Sequence, residues 1–432
     1  MYFRYMKIAF HTLGCKLNYS ETSFIANNLK DDGVEITDFS EKSDVYVINT
    51  CSVTENANKE CRQIIKKIKK KSPDSIITVM GCYAQLKPEE IKNIEGVNLV
   101  LGANEKFKLK EYLKNISNKD SSIVVQPIEK ITSFKQSFSE KHRTRTFLKI
   151  QDGCNYKCSF CTIPLARGKS RSNTIKDVLQ QINKLKEKGI KEIVLTGVNI
   201  GDFGINGSNE SFLDLLKEIV KNPSIRIRIS SIEPNLLSDE IIDVVLKSKN
   251  IVPHFHIPLQ SGSDKVLKLM RRRYKTHDYK KIIQRIKKSN SSVCIGADVI
   301  VGFPGEEKTD FNDTVNFIKS LPFSYLHVFS YSERDNTIAK KLEKSVTKEE
   351  RKRRSHVLRN LSEKKKNIFY LENLNTYRPT LIEGKTKKEY LNGYTDNYIK
   401  IEIPYKKEFE NKILNIKMET LSKNGNVKGT II

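Results

Sequence analysis

From about Thr146 the chain repeats a strand pattern followed by a helix pattern six times, and few architectures accommodate such a repeat. The expected strands cover residues 147–151, 192–197, 225–231, 254–259, 293–301 and 325–331. Ile175, Val178, Leu179, Ile182 and Leu185 recur with a 3.6-residue period, so the first intervening helix buries one apolar stripe. Six β/α units imply a partial barrel whose working face is formed by the loops at the strand carboxyl ends. The first such loop carries Asp152-Gly-Cys-Asn-Tyr-Lys-Cys-Ser-Phe-Cys-Thr-Ile-Pro164. Cys154, Cys158 and Cys161 in CxxxCxxC spacing can each take a different iron of a four-iron cluster and leave the fourth iron open. Structural zinc normally wants four closed ligands, usually in CxxC pairs, so the spacing argues for an open cluster that does chemistry.

Ahead of the barrel, short apolar strands alternate with helical patterns. Lys7-Ile-Ala-Phe-His11 leads to Gly14-Cys15, Asp44-Val-Tyr-Val-Ile-Asn49 to Thr50-Cys51, and Ser75-Ile-Ile-Thr-Val-Met80 to Gly81-Cys82. This is the pattern of a small doubly wound parallel sheet. The carboxyl ends of such strands face a common crevice, so Cys15, Cys51 and Cys82 should converge as a second open three-thiolate site. The competing reading is three unrelated small core residues. After the barrel comes a charged stretch with Arg351-Lys-Arg-Arg354 and Lys364-Lys-Lys366, expected to be a solvated helix connecting domains. From about Arg378 short strand-like pieces (Thr380-Leu-Ile-Glu383, Tyr398-Ile-Lys-Ile-Glu-Ile403, 413–418 and 427–432) predict a small all-β barrel. The fold class is therefore α/β, in three parts: a doubly wound domain over 5–117, a partial (β/α)6 barrel over 140–370 and a small β-barrel over 373–432.

The net charge is +26, with Lys+Arg 77 against Asp+Glu 51, which suits a polyanionic partner better than a purely small-molecule enzyme. Anionic membrane is the other candidate surface, but no apolar run is long enough to span a bilayer. The opening Met1-Tyr-Phe-Arg-Tyr-Met6 is too short for a targeting signal, and Met6 is a second candidate start. Eight cysteines in a large chain without export signals point to a reducing cytoplasm and metal ligation rather than disulfides.

The motifs together resemble one family, the radical S-adenosylmethionine (SAM) methylthiotransferases, over essentially the whole chain. Thr12-Leu-Gly-Cys-Lys-Leu-Asn18, Asn49-Thr-Cys-Ser-Val-Thr54 and Gly81-Cys-Tyr-Ala-Gln85 resemble the motifs that hold its auxiliary cluster. Arg143-Thr-Arg-Thr-Phe-Leu-Lys-Ile-Gln-Asp-Gly-Cys154, Leu195-Thr-Gly-Val-Asn199, Pro258-Leu-Gln-Ser-Gly-Ser263 and Gly296-Ala-Asp-Val-Ile-Val-Gly-Phe-Pro-Gly-Glu306 resemble its radical-SAM domain. Gly393-Tyr-Thr-Asp-Asn-Tyr398 resembles part of the RNA-binding TRAM module. Gly14-Cys-Lys-Leu-Asn18 and Arg228-Ile-Ser-Ser-Ile-Glu-Pro234 are most similar to the branch that acts on threonylcarbamoyladenosine in tRNA. The isopentenyladenosine branch more usually has Gly-Cys-Gln-Met-Asn at the first motif. A third branch modifies a basic ribosomal protein, an electrostatic mismatch for so basic a chain.

The resemblance implies two [4Fe-4S] clusters and SAM, the latter both radical source and methyl donor, acting on carbon 2 of the adenine beside the anticodon. Cys154, Cys158 and Cys161 would hold the cluster that cleaves SAM, and Cys15, Cys51 and Cys82 the cluster that supplies or carries sulfur. The implied partners are the tRNA anticodon stem-loop and a small-protein or chemical electron donor, with no membrane and a monomeric enzyme expected. Phe160 is expected near the SAM adenine or as a cover over the cluster. Thr196, Gly197 and Asn199 are candidates for the SAM methionine moiety, Ser231 and Glu233 for its ribose or the substrate, and Gly302 and Glu306 for adenine; ordinary loop roles compete for all of them. Cys61 and Cys294 are expected as buried or half-buried thiols, and His254 and His256, on one strand face, as hydrogen-bonding or substrate-contacting groups. The runs 66–71, 271–273 and 351–354 are candidate phosphate contacts. Tyr394 and Tyr398 would either stack on unpaired bases or pack within the barrel. The alternatives from other classes are a non-catalytic iron–sulfur RNA-binding sensor and a zinc-stabilised RNA-binding protein.

Overall fold

The structure is a computed structural model and describes residues 6–139, 144–205, 209–387 and 389–432. Residues 1–5 and Arg143 of the quoted motif lie outside the described residues. The described residues fall into two compact units, one drawn from Met1–Glu140, Phe147–Ser172 and Ser332–Thr337, the other from Lys141–Thr146, Asn173–Tyr331 and Ile338–Ile432.

The first unit is built on six parallel strands: β1 (Lys7–Thr12), β2 (Glu35–Thr37), β3 (Val45–Thr50), β4 (Ile76–Gly81), β5 (Val97–Leu101) and β6 (Ser122–Val124). Their order is β2-β1-β3-β4-β5-β6. Helices α1 (Lys16–Asp31), α2 (Glu55–Lys71), α3 (Cys82–Leu86), α4 (Pro88–Lys92) and α5 (Leu109–Leu113) connect them. Alternate residues of β3 explain the winding. Tyr46 and Ile48 enter one core with Cys61, Ile65 and Ile68 of α2, while Val45 and Val47 enter the other with Ile25 and Leu29 of α1. A sheet covered on both faces needs strands apolar on both faces, and β3 is buried at every position. The three strands expected from the sequence are present within a residue at each end. Strand β5 is also buried throughout, and its Val97-Asn-Leu-Val-Leu101 run is a strand signal that the cysteine-centred reading passed over.

The unit continues with β7 (Ser137–Phe138), paired antiparallel to β8 (Arg145–Lys149), then β9 (Gln151–Asp152), α6 (Ile163–Arg167) and β10 (Arg171–Ser172). Strands β9 and β10 pair antiparallel, so residues 153–170 form a loop closed at its base. The first barrel strand thus ends at Lys149, and Gln151 belongs to this hairpin.

The second unit contains α7 (Ile175–Glu187), β11 (Glu192–Thr196), α8 (Phe212–Lys221), β12 (Arg226–Ile229), α9 (Asp239–Lys247), β13 (His254–His256), α10 (Asp264–Leu269), α11 (Thr276–Ser289), β14 (Cys294–Val301), α12 (Lys308–Ser320), β15 (Tyr325–Ser330) and α13 (Lys348–Leu371). Strands β11 and β12 pair parallel, as do β13, β14 and β15, and bridges Ile227↔Ile251 and Ser231↔His256 join the two groups. Thr174, Ser211 and Ser238 cap α7, α8 and α9 by accepting a backbone N–H, which fixes where each helix leaves its loop. Strands β16 (Tyr377–Lys387), β17 (Tyr390–Thr395), β18 (Lys400–Pro404), β19 (Ile413–Leu421) and β20 (Val427–Ile431) close a barrel in the order β16-β17-β18-β20-β19. Its core of Leu391, Ile401, Ile416, Met418 and Val427 also takes Phe369 and Tyr370 from α13.

Helix α13 corrects one expectation. It connects the barrels as foreseen, but Arg351 and Arg354 of the basic run are buried rather than solvated. Arg351 donates to the Tyr331 carbonyl at 3.0 Å, and Arg354 to Glu306 Oε2 at 2.6 Å. Only Lys352 and Arg353 remain exposed, Arg353 bound to Glu350, so this run is a poor phosphate contact. Guanidiniums with carbonyl and carboxylate partners can be buried where a count of charges suggests a wet face.

Candidate metal centres

Strands β1, β3 and β4 are neighbours, and Cys15, Cys51 and Cys82 follow their carboxyl ends. Parallel registers Thr12↔Asn49 and Thr50↔Gly81 bring the three chain segments out together. Cys15 is the N-cap of α1 and exposed, whereas Cys51 and Cys82 are buried. Thr50 Oγ1 accepts from the Tyr83 N–H at 3.2 Å and donates to the Met80 carbonyl at 2.6 Å, tying the loop of Cys51 to that of Cys82. Asn18 Nδ2 donates to the Leu13 and Thr50 carbonyls at 2.8 and 2.9 Å, tying the loops of Cys15 and Cys51. Gly14 has φ +97°, and a Cβ there would lie 2.5 Å from Cys51 Cβ and 2.8 Å from its Sγ. Burial, with the charges of Cys82 and Cys15, pushes the Cys51 thiol up to about 12. Burial raises Cys82 too, against the opposing charges of Arg167 and Lys106.

The second triplet lies on the hairpin-closed loop of the same unit. Gly153 has φ +74°, where a Cβ would lie 2.1 Å from the Lys169 carbonyl oxygen, so only glycine lets the two limbs approach. The Cys154 N–H donates to the Gly168 carbonyl at 3.0 Å and the Cys161 N–H to the Cys158 carbonyl at 3.2 Å. The Tyr156 N–H points at Cys154 Sγ, 3.3 Å away. Cys154, Cys158, Phe160 and Cys161 are all half-buried. Helix α6, which leaves this loop, packs on α3, which begins with Cys82. Thr162 Oγ1, next to Cys161, stands 3.5 Å from the carbonyl of Ser52, next to Cys51.

Both triplets fit iron–sulfur ligation by donor chemistry: soft, accessible or crevice-facing thiols, none in a disulfide, with glycines where a side chain would fill the space beside them. Among the described residues no group of three His, Cys, Asp or Glu is arranged to hold a single metal ion. In a cluster each thiolate takes a different iron, so the three need not meet at one point.

Beneath the triplets is an ionic network that sequence reasoning missed. Glu21, fully buried in α1, accepts from Lys106 at 2.6 Å, Lys149 at 3.0 Å and Arg167 at 3.0 and 3.1 Å. Asp152 accepts from Arg167 at 2.9 Å and Arg171 at 3.0 Å. Burial alone would raise both carboxyls. The surrounding cations, led by Arg167 for Glu21 and Lys149 for Asp152, instead hold them well below the usual range. A signal existed: Leu17, Glu21 and Ile25 recur every four residues, so a carboxylate interrupts the buried stripe of α1. Arg334 was missed as well; it donates to Ser52 Oγ at 2.7 Å and to Glu55.

In the second unit the expected SAM-contacting residues lie at strand ends. Thr196 Oγ1 donates to the Val194 carbonyl, and Asn199 Nδ2 to Asp202 Oδ2 at 2.8 Å. Gly197 follows β11 and is half-buried, and Ser231 bridges to His256. Glu233 pairs with Arg272; burial raises its carboxyl, and the charges of Asp298 and Asp202 add to that rise. Glu306 accepts from the Gly302 N–H at 2.5 Å and from Arg354, so its carboxylate is engaged in holding this loop. His254 and His256 both reach the Tyr325 hydroxyl, at 3.0 and 3.2 Å. Tyr394 and Tyr398 stack on each other at 5.0 Å with Arg145 over Tyr394 and Arg228 over Tyr398. Both rings are half-buried and engaged with each other and with the two guanidiniums. Cys61 and Cys294 are buried in apolar cores and raised by that burial to about 12.

Residues 148–318 match the radical SAM superfamily and residues 7–102 the uncharacterized protein family UPF0004. The chain is 41% identical over 423 residues to threonylcarbamoyladenosine tRNA methylthiotransferase MtaB of Bacillus subtilis (strain 168), covering 95% of this chain and 93% of that protein. It is 35% identical to tRNA-2-methylthio-N(6)-dimethylallyladenosine synthase of Histophilus somni (strain 129Pt), covering 89% and 83%. Among solved structures it shares its fold with the radical S-adenosylmethionine methyltransferase TsrM of Kitasatospora setae, at TM-score 0.57 and 13% identity over 75% of this chain and 73% of that one. Two cysteine triplets on a doubly wound sheet and a barrel loop, with identity this high across nearly the whole of both chains, place the protein in the radical-SAM methylthiotransferase family.

Proposed function

We propose that this chain installs a methylthio group on carbon 2 of N6-threonylcarbamoyladenosine, the modified adenine immediately 3′ of the tRNA anticodon. The observation that carries the chemistry is the pairing of two three-cysteine loops within one compact unit, with α3 packed on α6 and Thr162 beside Ser52. The substrate branch is supported by the 41% identity to the Bacillus protein of that name and by the Gly14-Cys-Lys-Leu-Asn18 motif.

Cys154, Cys158 and Cys161 would hold the cluster that binds SAM, and Cys15, Cys51 and Cys82 the auxiliary cluster. When bound, these groups supply the radical reactivity needed at an unactivated aromatic carbon, the sulfur and the methyl group. The chain's own task is positioning and the exclusion of water. The β9–β10 hairpin and the Gly153–Lys169 approach hold the loop of Cys154, Cys158 and Cys161, and Phe160 shields it. For SAM we propose Thr196, Gly197, Asn199, Ser231, Glu233, Gly302 and Glu306. Asn199 and Glu233 are pre-oriented by Asp202 and Arg272, and Glu306 acts through the loop it clasps. The division of labour follows residues 5–117 for the auxiliary cluster, 140–370 for the radical reaction and 373–432 for RNA. The tRNA anticodon stem-loop is the macromolecular partner, and a small protein or chemical reductant delivers electrons to a cytoplasmic monomer. None of the described helices is long and apolar enough to cross a membrane.

A second reading, the same chemistry on dimethylallyladenosine, is favoured by the 35% identity to the Histophilus synthase. Mass spectrometry of nucleosides separates the two. Anaerobically reconstituted protein, SAM and reductant are incubated with tRNA carrying either modification. A methylthio mass gain only on threonylcarbamoyladenosine is the expected result; a gain only on the other overturns the substrate assignment. If neither gains mass and SAM is not cleaved by protein with both clusters filled, the enzyme reading itself fails.

A further inference from the structure

Arg167 ends α6, six residues beyond Cys161, and its side chain is buried. It is a node through which the two cysteine loops share bonds. One nitrogen, Nη1, donates to Glu21 Oε1 and Asp152 Oδ1, and the other, Nη2, to Glu21 Oε2 at 3.1 Å and Asn18 Oδ1 at 2.7 Å. Asn18 in turn holds the Leu13 and Thr50 carbonyls, next to the segments that carry Cys15 and Cys51. The helix that presents Arg167 packs on the helix that begins with Cys82. Around this node four cations (Lys106, Lys149, Arg167 and Arg171) face two carboxylates, Glu21 and Asp152. The field of Arg167 reaches Cys82 and Cys15. A buried surplus of positive charge is costly unless an anion stands against it. A four-iron cluster on three thiolates is such an anion, and it becomes more negative on taking an electron.

We infer that Arg167 is a positioning residue for the auxiliary cluster, fixing the loops of Cys15 and Cys51 through Asn18 and favouring the cluster's reduced state by its charge. The inference rests on the reading that Cys15, Cys51 and Cys82 ligate that cluster. The step concerned is the addition of one electron from an external reductant; no bond is broken and no proton is transferred.

The test uses the full chain carrying Cys154→Ala, Cys158→Ala and Cys161→Ala, so that the iron left belongs to the auxiliary site. Dithionite potentiometry followed by electron paramagnetic resonance reads the midpoint potential, and iron per chain reads occupancy. Arg167→Gln keeps hydrogen-bonding capacity and loses charge. The reduced-to-oxidised ratio at the parent's midpoint should fall about tenfold, a downward shift of about 59 mV for one electron. Arg167→Lys keeps the charge and should stay near the parent. Equal shifts in both variants, or none in Arg167→Gln, would overturn the inference. Should Arg167→Gln fail to fold, Lys106→Gln, which shares Glu21 Oε2 with Arg167 but has no bond to Asn18, should shift the potential the same way by less; an unchanged potential there counts against the inference. Loss of all iron from the triple-cysteine parent would refute the ligand reading and the inference with it, whereas retained iron with an unmoved potential would refute the inference alone.

Discussion

The two cysteine triplets are built by opposite routes. Cys154, Cys158 and Cys161 occupy eight consecutive residues, and their geometry is set locally by a hairpin and one left-handed glycine. Cys15, Cys51 and Cys82 span sixty-eight residues and come out at one end of the sheet because β1, β3 and β4 are adjacent and in register. Each doubling of a closed loop costs only about 0.6 kcal/mol of entropy. Assembling the distant triplet is therefore affordable for a sheet with two apolar faces, but it makes the auxiliary site a property of the whole unit. The local triplet should tolerate disturbances in the sheet that the assembled one does not.

The largest expected effect separates the two directly. Cys158→Ala should abolish 5′-deoxyadenosine release from SAM while the auxiliary iron remains. Cys51→Ala should lose the auxiliary iron and all methylthio product while 5′-deoxyadenosine release continues near the parent rate. Iron analysis and chromatography of the small-molecule products measure both. If Cys51→Ala also stops SAM cleavage, the triplets are one functional unit and the contrast between them dissolves.

The same contrast explains what the sequence made legible. The local triplet could be picked out from spacing alone, and the strands before the distant cysteines from apolar runs that end shortly before Gly14-Cys15, Thr50-Cys51 and Gly81-Cys82. That β1, β3 and β4 are neighbours needed only the doubly wound pattern. The ionic network could not be read in the same way. Glu21, Lys106, Lys149 with nearby Asp152, and Arg167 come from four separate places, and apart from Glu21, which interrupts the buried stripe of α1, each alone resembles an ordinary surface charge. Arg351 and Arg354 misled for the same reason, because a charge run says nothing about carbonyls that fold over it. Nor does the sequence around Tyr394 and Tyr398 show that Arg145 and Arg228 lie over their rings.

Smaller effects should sharpen the comparison between the buried charges of the two units. Glu21→Ala leaves Lys106, Lys149 and Arg167 without their shared carboxylate. Breaking a buried ion pair from one side costs about 3–5 kcal/mol, and urea unfolding of the apoprotein should show it; a cost under about 1 kcal/mol, as for a surface pair, would refute the network's burial. In the second unit Glu192 lies between Arg226 at 2.7 Å and Arg228 at 2.8 Å. Burial works to raise its carboxyl, and these charges outweigh it and lower it from 4.5 to about 2. A depressed carboxyl contributes stability that is fully present above its unfolded value and is lost as pH falls towards its folded value. Between pH 4.5 and 2 this group should therefore remove about 3 kcal/mol of stability. Glu192→Gln should flatten that part of the acid-unfolding curve; an unaltered slope would show that the two arginines do not govern it.

The smallest expected effect isolates the close approach at the auxiliary site from backbone strain. Gly14 and Gly189 both occupy left-handed backbone, at φ +97° and +79°. A Cβ at Gly189 meets nothing within 4 Å, so Gly189→Ala should cost only the conformational strain, about 1–2 kcal/mol. Gly14→Ala carries the same strain and also drives a methyl group into Cys51. The chain around Gly14 is exposed and can yield, so the difference in unfolding free energy between the variants should be modest. The displaced group, however, is a proposed ligand, and the consequence should appear in iron content rather than in stability. Gly189→Ala is expected to bind the parent's complement of iron and Gly14→Ala to bind less at the auxiliary site, with the Cys154–Cys161 loop filled in both. Full auxiliary occupancy in Gly14→Ala would mean that Cys51 has room to move, and that the assembled triplet is less dependent on its surroundings than its geometry implies.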